Sequence, residues 1–172
     1  RHAHSSYTPD EINRPLSDKG QASLAQLEFL TDKSITAIYS SPYRRAIQTV
    51  EPLAQSLKLA IQTDKRLIER KLSSQAIADR DFEQCLMQLW SQPAFSLVDG
   101  ESNQQAQQRA LALLHELESK HQNEEIIISS HGNLICILLS AFDSSIDYDF
   151  WLSLSMPDVL VLDKNGNISR LL

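Results

Sequence analysis

The chain has 172 residues, of which 42% are hydrophobic and 22% charged, with a formal net charge of −6 and four glycines. One domain of this length buries roughly 70% of its unfolded surface, so it requires neither disulfides nor a structural metal. The acidic balance disfavours nucleic acid or an anionic membrane as a partner. The glycine count excludes a glycine-rich nucleotide cradle.

The apolar periodicity predicts helices and strands in alternation. A surface helix with one apolar side follows Gly20, and a short strand spans residues 35–40. Ser41 and Pro42 then open a helix that continues to about residue 57. The remaining predicted elements are a strand at 59–63, a loop at 66–70, helices at 82–90 and 104–120, a strand at 126–130, a helix at 132–139 and a hairpin with an Asn-Gly turn between 159–162 and 168–172.

Strands that alternate with helices are typical of a parallel sheet. The sequence therefore predicts an α/β fold of the three-layer αβα kind, with a mostly parallel central sheet and an antiparallel C-terminal edge hairpin. We expect residues 1–172 to form a single domain, because no repeat, linker or low-complexity segment divides them. The chain opens on Arg1 without an initiator Met, and we expect its first strand to be lacking at the N-terminus.

The two cysteines and the hydropathy pattern indicate where the protein resides. Cys85 and Cys136 form no CxxC pair and lie in apolar surroundings, which predicts two buried free thiols in a reducing compartment. No apolar run reaches the ~20 residues that a membrane span needs. We therefore expect a cytoplasmic protein.

Candidate functional residues follow the predicted strands, where open α/β sheets bind their ligands. His131 follows the strand at 126–130 and leads into a helix N-terminus, whose free amides attract an anion. Arg45 lies in the first turn of the helix after the strand at 35–40, and its guanidinium suits a phosphate or a carboxylate. His2 would occupy the same kind of position if a strand preceded it.

Two histidines and two arginines that converge on one pocket would suit a phosphoryl group. One imidazole of His2 and His131 would attack phosphorus, Arg1 and Arg45 would hold its oxygens, and a carboxylic acid would protonate the departing alkoxide. A rival interpretation takes His2, His4 and His131 as the ligands of a zinc hydrolase. It does not account for the two arginines, because cations beside a metal ion would be repelled.

Short motifs follow one another along most of the chain. They are RHAHS at 1–5, PLSDKG at 15–20, SSPYRRAIQT at 40–49, RLIE at 66–69, DGES at 99–102 and SHG at 130–132. In this order they resemble the motifs of the histidine phosphatase superfamily, which contains cofactor-dependent phosphoglycerate mutases, fructose-bisphosphatases and small phosphomonoesterases. Any one motif alone would be a weak match, whereas the ordered set is specific.

The resemblance implies a role for each matching residue. His2 would be the nucleophile that forms a phosphohistidine, and Glu69 would be the general acid. Arg1, Arg45 and His131 would form the phosphate pocket and take part in catalysis. The resemblance also implies that no metal and no other cofactor is needed.

The sequence leaves the acid and the exact activity open. Asp99 and Glu101 compete with Glu69 for the acid role, and Ala3 stands where the family usually has a glycine. The segment from Glu69 to Ser102 resembles the compact phosphomonoesterase branch, and the chain is too short for the large insertion of the glycolytic mutases. We therefore expect a hydrolase for a small phosphorylated metabolite. A mutase-type phosphotransferase and a catalytically silent phospholigand-binding module are the alternatives, and the substrate and the oligomeric state stay undetermined.

Overall fold

A sheet of three parallel strands lies at the centre of the protein. The computed structural model describes residues 1–172, apart from the side chain of Asp79. The strands are, in spatial order, β2 (Ile61–Thr63), β1 (Ile35–Ser40) and β3 (Glu125–Ser129). Because they run in the same direction, their carboxyl ends meet at one edge of the sheet, where ligands bind in this kind of fold.

Helices join the strands and cover the sheet. The first turn after β1 leads into α2, and the residue after Ser130 leads into α5, so two helices begin at the carboxyl edge. The helices are α1 (Asp18–Ala22), α2 (Arg44–Leu57), α3 (Asp79–Ser91), α4 (Asn103–Lys120), α5 (Gly132–Leu139) and α6 (Tyr148–Ser153), with 3₁₀ segments at Ser23–Asp32 and Lys65–Leu67.

The apolar side chains of the strands alternate between two helical layers. Ile38 packs with Val50 and Ala54 of α2 on one face of the sheet. Tyr39 packs with Leu113 and Leu117 of α4 on the other face. Each fully buried aliphatic side chain contributes about 1.5–3 kcal/mol, so both layers are held to the sheet and the predicted αβα architecture is confirmed.

The start of α4 matches the local sequence signal. The hydroxyl of Ser102 accepts a hydrogen bond from the Gln105 N–H, and the Gln105 side chain accepts one from the Ser102 N–H. This reciprocal capping satisfies two amides that a helix end otherwise leaves free. The predicted helix at 104–120 is confirmed, with Asn103 as its first residue.

Three local differences separate the structure from the prediction. α2 begins at Arg44 rather than Ser41, with Tyr43 at the N-cap. The Ser41 hydroxyl accepts the Tyr43 N–H at 3.3 Å and also bonds to His131 at 2.8 Å. The predicted surface helix after Gly20 is mostly a 3₁₀ segment, although its apolar residues pack against Leu53 as expected. α6 was not predicted, since its six residues are too few to show a period.

The C-terminal hairpin pairs β4 (Leu160–Leu162) with β5 (Ile168–Arg170). It forms a two-stranded sheet of its own beside the parallel sheet. The N-terminal segment lies between the two, because the His2 N–H donates to the Ser130 carbonyl (3.0 Å) and the Asp158 N–H donates to the Arg1 carbonyl (3.3 Å). The predicted turn contains Gly166 at φ +83, a conformation that favours glycine.

Both cysteines are free. Cys136 is buried as predicted, whereas Cys85 is half-buried, so the expectation of two buried thiols is wrong for Cys85. Across the part of the chain that the structure describes, we find no helix with both the length and the apolar character that a membrane crossing demands.

Candidate active site

The carboxyl edge of the sheet gathers the predicted site residues. Ser41 follows β1 directly, and His131 follows β3 after one residue, Ser130. The backbone N–H of Ser41 donates to the Ser129 carbonyl at 2.8 Å, which extends the pairing of the strands beyond their ends. The N-terminal segment runs beside Ser130, and the sheet thereby brings His2 next to His131.

His2 is buried, with 8% of its surface exposed. Its Nδ1 lies 2.7 Å from the Ala3 carbonyl, and because a carbonyl only accepts, this nitrogen carries the hydrogen. Nε2 therefore presents a lone pair, which accepts a hydrogen bond from Arg45 Nε at 3.2 Å. Burial lowers the pKa of His2 to about 3, against the hydrogen bond to Ala3 and with help from the charge of Arg45. The imidazole is thus neutral and has its free nitrogen directed at the arginine.

His131 is fully buried beside it. Its ring stands edge-on to the His2 ring with the centroids 5.0 Å apart, and Tyr43 packs against it in the same way at 5.1 Å. The Nε2 atom of His131 lies 2.8 Å from the Ser41 hydroxyl. Burial, and then the neighbouring His2, lower the pKa of His131 well below its ordinary value. Packing against His2 and Tyr43 and the hydrogen bond to Ser41 therefore fix the orientation of the His131 imidazole.

Arg45 is the buried cation of the site, with 3% of its surface exposed. Its guanidinium lies over the Tyr43 ring, 4.9 Å from the centroid. Burial lowers its pKa, and the charge of Glu69 opposes that effect. The Thr49 hydroxyl, one turn further along α2, accepts the Ala3 N–H at 3.0 Å and so ties the N-terminal segment to the helix that carries Arg45.

Arg1 lies against the start of α5. Its NH1 atom donates to the Leu154 carbonyl at 2.8 Å, and Nε is buried without a hydrogen-bond partner among the described residues. A Cβ atom on Gly132 would stand 2.9 Å from Arg1 Nε and 3.0 Å from Trp151 Nε1. Glycine after His131 therefore leaves the space that this guanidinium occupies.

Glu69 is held at the N-terminus of α5. Its Oε1 accepts the N–H groups of Arg70 (2.9 Å) and Leu134 (3.0 Å), and Oε2 accepts that of Asn133 (3.2 Å). The carboxyl group thus satisfies amides that a helix start leaves free. The charge of Glu69 also raises the pKa of Arg1, and that of Arg45, against the dominant effect of burial.

The two competing acids are engaged elsewhere. Glu101 forms a two-pronged ion pair with Arg109, at 2.6 Å and 2.8 Å. Asp99 accepts a hydrogen bond from the Ser74 hydroxyl at 2.9 Å in an exposed loop. Neither carboxylate has the contacts with the start of α5 that Glu69 makes.

His4 does not join the other two histidines. Its Nδ1 bonds to the Ser17 hydroxyl at 2.7 Å, away from His2. Among the side chains that the structure describes, no three of His, Cys, Asp or Glu are grouped as a metal ion would require. The arrangement of His2, His4 and His131 as one ligand set is therefore not found.

Several residues of the site escaped prediction. Ser41 and Tyr43 stand in the motif at 40–49, but only their contacts with His131 show what they do. Arg70 is 3% exposed, and its three guanidinium nitrogens have no hydrogen-bond partner among the described residues. Burial lowers its pKa, opposed by the charge of Glu69, so Arg70 adds a positive charge beside that carboxyl. Glu11, discussed below, carries no sequence signal.

The two buried imidazoles predict how stability depends on pH. The pKa of His2 falls from 6.5 to about 3 on folding, and that of His131 falls well below 6.5. Between these values the unfolded chain binds more protons, so the free energy of unfolding decreases as the pH falls from 6.5 toward 3. Each histidine lowers the free energy of unfolding by up to roughly 1.4 kcal/mol for each pH unit of acidification in this range.

Urea unfolding near pH 7 and near pH 5 measures this effect. We expect His131→Gln to lose less stability on acidification than the wild type, because one buried imidazole is gone. His115→Gln, on an exposed position of α4, serves as the control and should behave like the wild type. Equal losses in all three proteins would contradict the assignment.

Comparison with known proteins gives three findings. The family model described as histidine phosphatase superfamily (branch 1) matches residues 1–163. YhfR of Bacillus stearothermophilus is 24% identical, with a TM-score of 0.76 and coverage of 99% of this chain and 92% of that one. The native mycobacterial glucosyl-3-phosphoglycerate phosphatase is 22% identical, with a TM-score of 0.73 and coverage of 90% and 82%. At these identities the two structures show a shared fold.

A curated relative extends the comparison to sequence. Phosphoglycerate mutase-like protein 4 of Arabidopsis thaliana is 25% identical over 150 residues, which cover 78% of this chain. The chain spans 65% of the length of that relative.

Proposed function

Because this chain belongs to branch 1 of the histidine phosphatase superfamily, we propose that it hydrolyses the phosphomonoester of a small metabolite through a phosphohistidine on His2. One observation carries the proposal. His2 is buried and neutral, and its unprotonated Nε2 lies 3.2 Å from the Arg45 guanidinium. A phosphoryl group drawn to that cation would meet the lone pair of the nucleophile.

The first step transfers the phosphoryl group to the protein. The Nε2 lone pair of His2 forms a bond to phosphorus while the bond from phosphorus to the ester oxygen breaks. Glu69, in its carboxylic acid form, gives its proton to the departing alkoxide and becomes a carboxylate, and the alkoxide leaves as the alcohol. Arg1, Arg45 and His131 hold the oxygens on which negative charge develops.

The second step returns His2 to its starting state. Water attacks phosphorus on the side opposite Nε2, and the nitrogen–phosphorus bond breaks. The Glu69 carboxylate takes a proton from that water, so the acid of the first step is the base of the second. Inorganic phosphate is the product.

Three observations support Glu69 over its competitors. Glu69 accepts N–H groups at the start of α5, next to His131. Its charge acts on Arg1 and Arg45. Glu101 is paired with Arg109, and Asp99 with Ser74.

Hydrolysis is favoured over phosphoryl transfer between substrates, and over a silent binding module. The family of this chain and the mycobacterial phosphatase that shares its fold support phosphatase activity. Nucleophile, cations and acid are all present, whereas a silent module would be expected to lack one of them.

The free thiols of Cys85 and Cys136 fit a reducing compartment such as the cytoplasm.

A screen of phosphomonoesters tests the proposal. We expect phosphate release from at least one class of small phosphorylated metabolite, ranked by kcat/KM, with no loss of rate after treatment with a chelator. Vanadate, which adopts the geometry of the transferred phosphoryl group, should inhibit. The chelator should have no effect because arginine side chains, rather than a metal cation from solution, neutralise the phosphoryl oxygens.

The screen also separates the alternatives. A rate that a chelator abolishes and zinc restores would favour the metal hydrolase. Transfer of phosphate between glycerate positions without net release would favour a mutase. Binding of phosphate esters without turnover would identify a silent module.

A further inference from the structure

The carboxylate of Glu11, in the loop at 5–14, pairs with Arg45, one of the arginines of the proposed phosphate pocket. Arg45 donates through Nε to His2, through NH1 to the Glu11 carbonyl at 2.7 Å, and its NH2 lies 3.2 Å from Glu11 Oε2. All three guanidinium nitrogens are therefore engaged in the free protein. The Arg45 side chain is 4% exposed and that of Glu11 49%, so an anion on the rim reaches a buried cation.

The backbone of the loop does not depend on that ion pair. Asp10 Oδ1 accepts the N–H groups of Ile12 (3.1 Å) and Asn13 (3.0 Å). The Arg44 N–H donates to the Ile12 carbonyl at 2.9 Å. The main chain around Glu11 is thus held from both sides, and its carbonyl can stay on Arg45 while the carboxylate moves.

The Glu11 carboxylate has a second partner to which it can move. Arg14, on the same loop, forms an ion pair with Glu11 Oε1. Its guanidinium also lies 5.5 Å from the centre of the Tyr7 ring. A carboxylate that leaves Arg45 therefore keeps a cation beside it.

We propose that Glu11 is an affinity-determining residue that occupies the Arg45 subsite in the free protein and is displaced from it by the phosphate of the substrate. A carboxylate and a phosphate dianion accept the same N–H groups, and two anions on one guanidinium repel each other. Glu11 therefore weakens the binding of every dianion at this subsite, including the phosphate that hydrolysis releases. The inference rests on the proposed function, since it takes Arg45 to bind a phosphoryl oxygen.

Direct binding of inorganic phosphate and of vanadate, measured by calorimetry without turnover, tests this role. We expect Glu11→Gln to bind both anions more tightly, with Kd lower by about tenfold, a change of roughly 1.4 kcal/mol. Glu11→Ala, which keeps the backbone carbonyl, should change Kd in the same direction. Under turnover, KM of Glu11→Gln should fall and inhibition by product phosphate should strengthen.

Glu28→Gln is the matched control, because it removes the same charge from an exposed position on the 3₁₀ segment. It should bind phosphate as the wild type does, which separates a local effect from net charge. Unchanged or weaker phosphate binding by both Glu11 variants would overturn the inference. If the wild type hydrolyses no ester but the Glu11 variants bind phosphate more tightly, the inference about Glu11 stands and the proposed function is overturned. If none of the proteins binds phosphate or vanadate, both are overturned.

Discussion

Rapid quenching during turnover of a radiolabelled phosphomonoester is expected to trap acid-labile, alkali-stable label on His2. The expectation follows from the unprotonated Nε2 of His2, which faces the Arg45 guanidinium while Nδ1 is committed to the Ala3 carbonyl. Digestion of the quenched protein would place the label in the N-terminal peptide. His2→Asn should lose the label, and its kcat/KM should fall by at least about 10⁴-fold.

Two controls separate the nucleophile from the residues around it. His115→Asn changes an exposed imidazole of α4 and should leave both the label and the rate unchanged. His131→Gln removes a neighbour of the nucleophile, so label should still form on His2, though more slowly. Absence of label on the wild type under turnover, or label on His131, would rule out the proposed intermediate.

The second large effect concerns the acid. Glu69→Gln should slow the hydrolysis of an alkyl phosphate by about 10²–10⁴-fold, the range typical of a lost general acid. The same variant should lose far less rate on p-nitrophenyl phosphate, because that leaving group departs without a proton. The single oxygen of a glutamine side chain can still accept the Leu134 N–H, whereas its amide nitrogen cannot accept the Asn133 N–H as Oε2 does. The substitution therefore removes the proton donor and keeps part of the contact with α5. The ratio of kcat/KM for the two esters, in wild type and variant, is the measurement.

Asp99→Asn and Glu101→Gln are the comparisons for that experiment. Asp99 bonds to an exposed serine and Glu101 to Arg109, so neither substitution should change how the rate depends on the leaving group. Equal losses on both esters in Glu69→Gln would instead move the acid to one of these two residues. A selective loss in Glu101→Gln would identify that residue.

Local patterns were sufficient to predict most of the secondary structure. The helix at 132–139 and the long helix that ends at 120 are predicted because their apolar residues are near neighbours in the chain, and the cap of the long helix is also local. The start of α2 differs from the prediction: the helix begins at Arg44, and the Ser41 hydroxyl is shared between the Tyr43 N–H and His131, which is 90 residues away. Competition between a local cap and a distant partner has no signature in a linear pattern.

For the candidate site, too, the motifs of the sequence predict some residues and only the folded structure shows others. Motif order identified His2, Arg45, Glu69 and His131 as candidates, and the structure brings them to one edge of the sheet. The motif order did not indicate that Glu11 pairs with Arg45, because in a sequence a loop glutamate resembles any solvated carboxylate. Nor did it separate Glu69 from its competitors, since that choice depends on which carboxyl group reaches the start of α5.

The sequence by itself determined the alternation of strands and helices and the kinds of polar residue that follow the strands, because both depend on residues that are close together in the chain. Only the tertiary structure decided which of those residues meet, and in what state. His2 and Arg45 are 43 positions apart along the chain, and the neutral form of His2 results from burial, which lowers its pKa to about 3. Desolvation and contacts between distant residues arise only when the chain folds, and they turn a set of candidate residues into a site able to accept a phosphoryl group.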